Sequence, residues 1–315
     1  MKAIIIGCGV SGLSTGIRMI EAGHDVEIWA KDLPPKTTSN VAAAIWYPYL
    51  ALPRERVLAW GQRTLEVFYG IAGEPDCGVL IGETIEVFRQ DMAEPWWRSA
   101  VRHFRFAQPA ELPPGYTTGY VFETAVIDTG IYLPYLMRQF EGMGGKIIER
   151  DIQSLDNALA VAETVVNCAG LGTLSFMQDT ELYPVRGQVL RIEKPALKWS
   201  MLDDEEDEAG VLAYVVPRVN DCILGGVAQA GEWSLEADEA TAQRIVERCA
   251  LLAPEVRDMK VLEHKVGLRP GRSSVRVEVE RLPGGKALAH NYGHSGAGVT
   301  LSWGCAEDIV ALLKG

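Results

Sequence analysis

An α/β chain (α+β overall), with a nucleotide-type parallel unit and an interleaved, mostly antiparallel β unit, is predicted by three observations. An all-apolar stretch, Ala3-Ile4-Ile5-Ile6, runs directly into Gly7-Cys8-Gly9-Val10-Ser11-Gly12. A second apolar stretch, Thr164-Val165-Val166-Asn167, runs into the small residues Cys168-Ala169-Gly170. Elsewhere, short alternating runs broken by Pro and Gly, such as 187–192 and 212–216, read as antiparallel strands. The 315 residues suit two domains, at roughly 150 residues each. The content of 48% hydrophobic and 23% charged residues is that of a globular chain and excludes disorder as the main state. A net charge of −12 argues against nucleic acid or an anionic membrane as partner.

Taken in order, residues 3–6 read as a strand buried on both faces. Gly7 permits the tight turn, Gly9 lets a pyrophosphate approach the backbone, and Gly12 lets helix and strand pack closely. The helix that follows, 11–21, carries Leu13, Ile17 and Ile20 on one side and turns its N-terminus toward the anion. Gly23 ends it. Residues 25–30 alternate Val26, Ile28 and Ala30 as a second strand, so the glycine motif sits in a strand–helix–strand context. The ribose slot departs from the pattern. An acid is expected about 20 residues after the motif, but Lys31 stands there and Asp32 follows. Asp32 or a backbone group would meet the ribose, whereas Lys31 would suit a 2′-phosphate. The motif leaves the dinucleotide open.

Thr37-Thr38-Ser39, followed by Val41-Ala42-Ala43-Ala44-Ile45, either lets hydroxyls and backbone crowd a bound group or caps a helix. Residues 128–152 read as a helix (Tyr132, Leu133, Leu136, Phe140), a Gly144-Gly145 turn and a strand. They rejoin the first unit together with 164–172. The dinucleotide-binding domain is thus assigned to 1–52, 127–183 and 286–315, and the substrate-binding domain to 53–126 and 184–285. The acidic run Asp203-Asp204-Glu205-Glu206-Asp207-Glu208 reads as an exposed, mobile loop, and no metal ligands are assigned. Six scattered cysteines without Cys-x-x-Cys spacing read as reduced thiols. No signal peptide and no apolar run of about 18 residues is seen, so a cytoplasmic location is expected.

The densest late signal is His290-Asn291-Tyr292-Gly293-His294-Ser295-Gly296-Ala297-Gly298-Val299-Thr300, a glycine loop running into a helix. A helix N-terminus carries roughly half a positive charge. Aimed at the N1–C2=O edge of an isoalloxazine, it stabilises an anionic reduced flavin. A nicotinamide has less use for it, which favours FAD over NADP.

These blocks occur in order with Arg186-Gly187-Gln188, Leu224-Gly225-Gly226 and Gly267-Leu268-Arg269-Pro270. Together they make the chain resemble the D-amino acid oxidase family of FAD proteins, which includes D-aspartate oxidases, from Met1 to the last helix. The resemblance implies a Rossmann-like FAD-binding domain and non-covalent FAD. It implies that Gly7, Gly9, Val10, Ser11 and Gly12 hold the pyrophosphate and that Asp32 lies near the ribose. Thr37, Thr38 and Ser39 would supply phosphate- and flavin-side hydroxyls. Ala43, Ala44 and Ile45 would lie along the isoalloxazine. Ile152 would touch the adenine and Gly170 would pack near the cofactor. Gly293, Gly296, Gly298, Val299 and Thr300 would meet the flavin's pyrimidine side. Arg269 would fork onto the substrate carboxylate, Tyr214 would bond the same carboxylate, and the Gly296 carbonyl would accept from the amine. Tyr47 and Tyr49 join the substrate-binding set. Arg272 and Arg276 are nearby competitors for Arg269.

The implied reaction is oxidative deamination of a D-amino acid to a 2-oxo acid, ammonia and hydrogen peroxide, by hydride transfer from Cα to flavin N5 with O2 as the final acceptor. Its partners would be the small-molecule substrate and O2, with a homodimer left open. His290 and His294 are read as structural. Three alternatives stand beside it. A D-aspartate oxidase gains if Arg218 points into the pocket. A glycine or sarcosine oxidase is disfavoured by the Tyr214–Arg269 pairing. A non-catalytic flavin- or NADP-binding regulator would make no peroxide. The pocket is expected to be locally positive at Arg269, against the sign of the whole chain.

Overall fold

The strand Lys2–Ile6 is central because both its faces are apolar. Ala3 and Ile5 face one core and Ile4 and Ile6 another, the period-two alternation of a strand covered on both sides. In the computed structural model, which describes residues 1–315, this strand lies between Asp25–Ala30 and Thr164–Asn167 and is parallel to both. The sheet has six strands in the order Arg276–Arg281, Ala287–Tyr292, Thr164–Asn167, Lys2–Ile6, Asp25–Ala30, Lys146–Glu149. Only the first pair is antiparallel. Helices Val10–Glu21, Thr129–Gly142 and Gly298–Lys314 bury Leu13, Ile17, Phe140 and Leu301 in the core that also holds Ala3 and Ile5. Ile152, Leu155, Ala158 and Ala162 cover the opposite face.

Two elements depart from the expected domain boundaries. Helix Arg54–Ile71, placed by sequence in the substrate domain, packs along Gly298–Lys314 in the core of the six-stranded unit. Strand Arg276–Arg281, also placed in the substrate domain, forms the edge of the six-stranded sheet. An amphipathic helix carries no mark of which sheet it will cover, so chain continuity misassigned both.

The second sheet has nine strands. Eight run in the order Gln229–Ala230, Tyr183–Glu193, Asp221–Val227, Val211–Pro217, Ser200–Asp203, Val79–Phe88, Thr118–Ile127, Arg102–Phe106, and Val261–Gly271 also pairs with Tyr183–Glu193. All its pairings are antiparallel except that of Val79–Phe88 with Ser200–Asp203. One face packs Ile85, Val87, Ala213, Val215 and Leu190 against the helix Glu239–Leu252. The alternate residues Glu86, Leu212, Tyr214, Val189 and Gly187 therefore face the other way, onto a cavity shared with the first sheet. No helix is long and apolar enough to cross a membrane.

The segment after Ser39 is extended, not helical. Thr38–Asn40 makes one 3-10 turn, and Ala44 to Trp46 then pair with the end of Thr118–Ile127, Trp46 N donating to Ala125 O at 2.8 Å. The alanines thus lie as a flat ribbon along the cavity.

Candidate active site

One continuous cavity of about 460 Å³ lies between the two sheets. Its nucleotide end is built by the glycine turn. Gly7 has φ +107°, and a Cβ there would stand 2.6 Å from the Cys168 carbonyl oxygen. A Cβ at Gly12 would overlap the Gly7 carbonyl oxygen, so the helix start is drawn onto the strand end. Gly7, Gly9, Val10, Ser11, Asp32, Thr37, Thr38, Ser39, Ile152 and Gly170 line the cavity. Gly12 does not; its role is the close packing just described. Lys31 lines the cavity beside Asp32. So does Arg150, which sequence reasoning missed and whose guanidinium sits 4.4 Å over the Trp29 ring.

Further along, Ala43, Ala44 and Ile45 line one wall, and Gly296, Gly298, Val299 and Thr300 another. Gly293 lies outside, with φ +78° and Arg272 packed where its side chain would be. The Thr300 hydroxyl is engaged by the backbone of Tyr47, accepting from its N–H at 3.1 Å and donating to its carbonyl at 3.0 Å. It ties the helix start to the extended ribbon.

A flavin dinucleotide fits these residues. The helices Val10–Glu21 and Gly298–Lys314 both begin at the cavity. Neither has a side-chain cap or an acidic residue in its first turn. The Val10 N–H is taken by Ser39 Oγ at 3.1 Å, and the remaining first-turn N–H groups and positive dipole ends suit anionic groups. The first would suit a pyrophosphate and the second the electron-rich edge of a flavin.

A histidine network ties the glycine loop to the first helix. His294 Nε2 and Asn291 Oδ1 are 3.0 Å apart, Asn291 Nδ2 donates to Thr15 Oγ1 at 3.0 Å, and Thr15 donates to the Ser11 carbonyl at 2.6 Å. Burial lowers the His294 pKa to about 4, so its ring is neutral. His290 lies off the cavity with Nε2 3.0 Å from Glu280 Oε1. Glu278, Glu280 and His290 come within metal-binding range of one another, but Arg276 bridges both carboxylates.

At the substrate end, Arg269 Nη1 donates to the carbonyls of Val227 at 2.9 Å and Arg186 at 3.4 Å. Its hydrogen bonds to protein carbonyls run through Nη1 alone, and the side chain lines the cavity. The competitors are occupied: Arg272 by Asp179 and Glu181, Arg276 by Glu278 and Glu280. Tyr214 lies beside Arg269. Burial raises its pKa, and the guanidinium opposes that shift. Its ring occupies the space a side chain at Gly225 would need. The Gly296 carbonyl accepts no hydrogen bond from the protein, and Tyr49 packs against Gly296. The Tyr47 hydroxyl donates to Glu86 Oε1 at 2.7 Å.

Three sequence expectations change here. The acidic run is not a free loop. Asp203 ends a strand, buried, and accepts from Tyr116 at 2.6 Å, Arg89 at 2.9 Å and Arg248 at 3.1 Å. Asp207 accepts from the N–H groups of Ala209 and Val211 and pairs with Arg244. Arg218 does not line the cavity. It is buried in a two-point bond to Asp221, at 2.7 and 2.8 Å, and donates to the Ala43 carbonyl at 3.3 Å. The pocket is not simply positive either, because Glu86 and Asp204 also line it.

Both of those acids escaped sequence reasoning. Glu86 alternates with Ile85 and Val87, the pattern of a strand with a solvent side, yet it is 2% exposed. Burial pushes its carboxyl up to about 8, against the Tyr47 hydrogen bond and with help from Asp204 and Asp203. Asp204 is exposed along the cavity wall. It is crowded enough that desolvation, then Asp203 and Glu206, raise it to about 6.

Comparison with known proteins concerns the whole chain. A family model described as FAD dependent oxidoreductase matches residues 2–312. The D-amino-acid oxidase of Rubrobacter xylanophilus is 51% identical over 312 residues, covering 99% of this chain and 95% of that protein. The D-amino-acid oxidase of Dictyostelium discoideum is 40% identical over 321 residues, covering 99% and 91%. Among solved structures, glycine oxidase from Geobacillus kaustophilus superposes with a TM-score of 0.80 at 16% identity, over 99% of this chain and 94% of that one. At that identity the likeness shows the fold. The match over nearly the whole length, with a cavity built for a flavin dinucleotide, makes this chain a member of the FAD-dependent oxidoreductase family.

Proposed function

We propose that the protein oxidises D-amino acids to 2-oxo acids, ammonia and hydrogen peroxide. The observation that carries this reading is Arg269 beside Tyr214, lining the same cavity as the uncapped helix start at Gly298. FAD, when bound, supplies the two-electron acceptor that O2 regenerates. A planar guanidinium takes a carboxylate at two points. Tyr214 donates its hydroxyl proton to the same carboxylate. The Gly296 carbonyl accepts from the amine, which fixes the third point needed to choose one enantiomer. No side-chain base is required when the amine is neutral: His294 lines the cavity with its Nε2 held by Asn291, and His290 lies off the cavity. The residues act by positioning, and the imino acid hydrolyses in water. The curated relatives support the substrate class, being D-amino-acid oxidases by name. Six free, buried cysteines support action in a reducing compartment, the cytoplasm.

The test uses purified protein with its flavin absorbance recorded. D-alanine is expected to bleach the flavin and yield peroxide, with L-alanine, sarcosine and D-aspartate far weaker. Arg269→Ala is expected to lower kcat/KM for D-alanine by about 100-fold or more, two lost charge-assisted bonds. An unchanged KM in Arg269→Ala would overturn the carboxylate assignment, and peroxide from sarcosine alone would overturn the substrate class.

A further inference from the structure

The strand register of the second sheet sets a row of side chains across the cavity wall. Glu86 is opposite Leu202, Leu202 is opposite Tyr214, and Tyr214 is opposite Gly225. Residues directly opposite each other in paired strands emerge on the same face. Glu86, Leu202 and Tyr214 accordingly all line the cavity. Asp204 lies two residues beyond Leu202 and also lines it. From Tyr214 to Glu86 is two strand spacings, about 10 Å. The wall thus reads as a carboxylate clamp, an apolar floor, and an acidic end.

The acidic end is unmatched. Glu86 is 2% exposed, and while Oε1 accepts from Tyr47, Oε2 has no hydrogen-bond partner. A buried carboxyl oxygen without a partner is costly, and such groups in native proteins have a reason to persist. No protein cation reaches either acid. Arg89 and Arg248 are held by Asp203, Arg218 by Asp221, and Arg269 lies at the clamp. Tyr49, packed against Gly296, lines the same cavity as Arg269 and Asp204.

We propose that Glu86 and Asp204 form a subsite for a cationic side chain, so that the preferred substrates are D-amino acids ending in an ammonium or guanidinium group. The reading rests on Arg269 and Tyr214 holding the α-carboxylate. It deepens that assignment by naming what the far end of the substrate carries. An aliphatic stem lies over Leu202 while the terminal cation donates to Glu86 Oε2 and to Asp204. Burial keeps Glu86 protonated in the free enzyme, so it releases its proton to solvent as the cation binds and supplies the counter-charge. An acidic side chain would meet two carboxyl groups and no cation, which opposes D-aspartate.

Two matched pairs test this in the holoenzyme. D-lysine against D-norleucine removes only the ammonium, and D-arginine against D-citrulline removes charge while keeping shape and hydrogen bonding. The charged member of each pair is expected to show a kcat/KM about tenfold or more higher, one charge-assisted hydrogen bond. Glu86→Gln and Asp204→Asn are each expected to reduce that ratio several-fold. A second readout needs no turnover. 6-Aminohexanoate, which lacks the α-amine, is expected to bind about tenfold tighter than hexanoate, followed by thermal shift, with the difference reduced in Glu86→Gln. Asp204→Asn is at an exposed position and keeps the test alive if Glu86→Gln misfolds. Ratios near one in the wild type, or ratios unchanged in both variants, overturn the subsite. If D-alanine is oxidised while charge makes no difference, the subsite fails alone. If no D-amino acid yields peroxide, the underlying function fails.

Discussion

The guanidinium of Arg269 lies over the Cα of Gly187: a Cβ there would meet Nη1, Cζ and Nη2 at 2.5, 2.7 and 2.7 Å. Gly187 and Gly267 are paired across neighbouring strands, and Arg269 lies two residues beyond Gly267. The missing side chain lets the arginine fold back across the sheet and hold the Val227 carbonyl with Nη1. Gly187→Ala would therefore displace the flexible end of Arg269 and leave the strands in place. The expected outcome is a KM for D-amino acids raised about tenfold or more, since a fork misplaced by an ångström loses its two-point bond. Flavin absorbance and melting temperature stay close to wild type. Steady-state peroxide assays and a melting curve check this. A fall in stability with an unchanged KM would mean the glycine serves the sheet only.

Much of this geometry was legible in the sequence, for a physical reason. The strand–glycine–helix unit at 2–30 is local, with its turn, close approach and helix start all encoded within one stretch, and it formed as read. Arg269 came from the family resemblance and not from its local sequence, and it does line the cavity. Glu86 was not. Its strand alternates Ile85 and Val87 with Thr84 and Glu86, the pattern of a sheet with one wet face. Here that second face looks onto a cavity instead of bulk water. Period two tells which residues share a face, never what covers it. Arg218 failed similarly, because its partner Asp221 lies three residues on across a turn and nothing in composition marks the pair as closed.

The carboxyl of Glu86 gives a pH signature. Its folded pKa is raised to about 8 from an ordinary 4.5, chiefly by desolvation. The folded state then binds more protons than the unfolded state between those values. Stability from this group is full below about pH 4.5 and is lost as pH rises through 8. Glu86→Gln removes the titration. The melting temperature of the variant minus that of the wild type is expected to grow from pH 5 to pH 9, toward a few kcal/mol of stability. Thermal melts across that range, at fixed ionic strength and saturating FAD, decide it. A difference independent of pH would place a charged Glu86 in the resting enzyme.

Arg218 and Asp221 are a buried pair, 3% and 7% exposed. Arg218→Ala would leave Asp221 with only the more distant Arg191 at 3.6 Å. Breaking such a pair from one side costs about 3–5 kcal/mol, so a clear drop in melting temperature is expected. The bond to the Ala43 carbonyl is lost too, which loosens the ribbon along the flavin side. The ratio of D-aspartate to D-alanine turnover is expected to stay the same, because Arg218 does not reach the cavity. A selective loss of D-aspartate activity would return Arg218 to the substrate site.

Asn291 joins the two glycine elements that border the cavity. It is fully buried, lies 3.0 Å from the neutral His294 ring through Oδ1, and donates to Thr15 on the first helix through Nδ2. Thr15 in turn holds the Ser11 carbonyl at the helix start. Replacing Asn291 by Ala leaves His294 and Thr15 each short of a buried partner, at about 1–3 kcal/mol apiece. The two helix N-termini that line the cavity would then be free to shift against each other. FAD retention is expected to weaken about tenfold or more, with a smaller rise in KM, because Arg269 and Tyr214 stand on the other sheet and only Gly296 shares the loop. Measured as FAD fluorescence released on dilution, alongside KM for D-alanine at saturating FAD, the variant should separate the two. A raised KM with unaltered FAD retention would show that the network serves the substrate end.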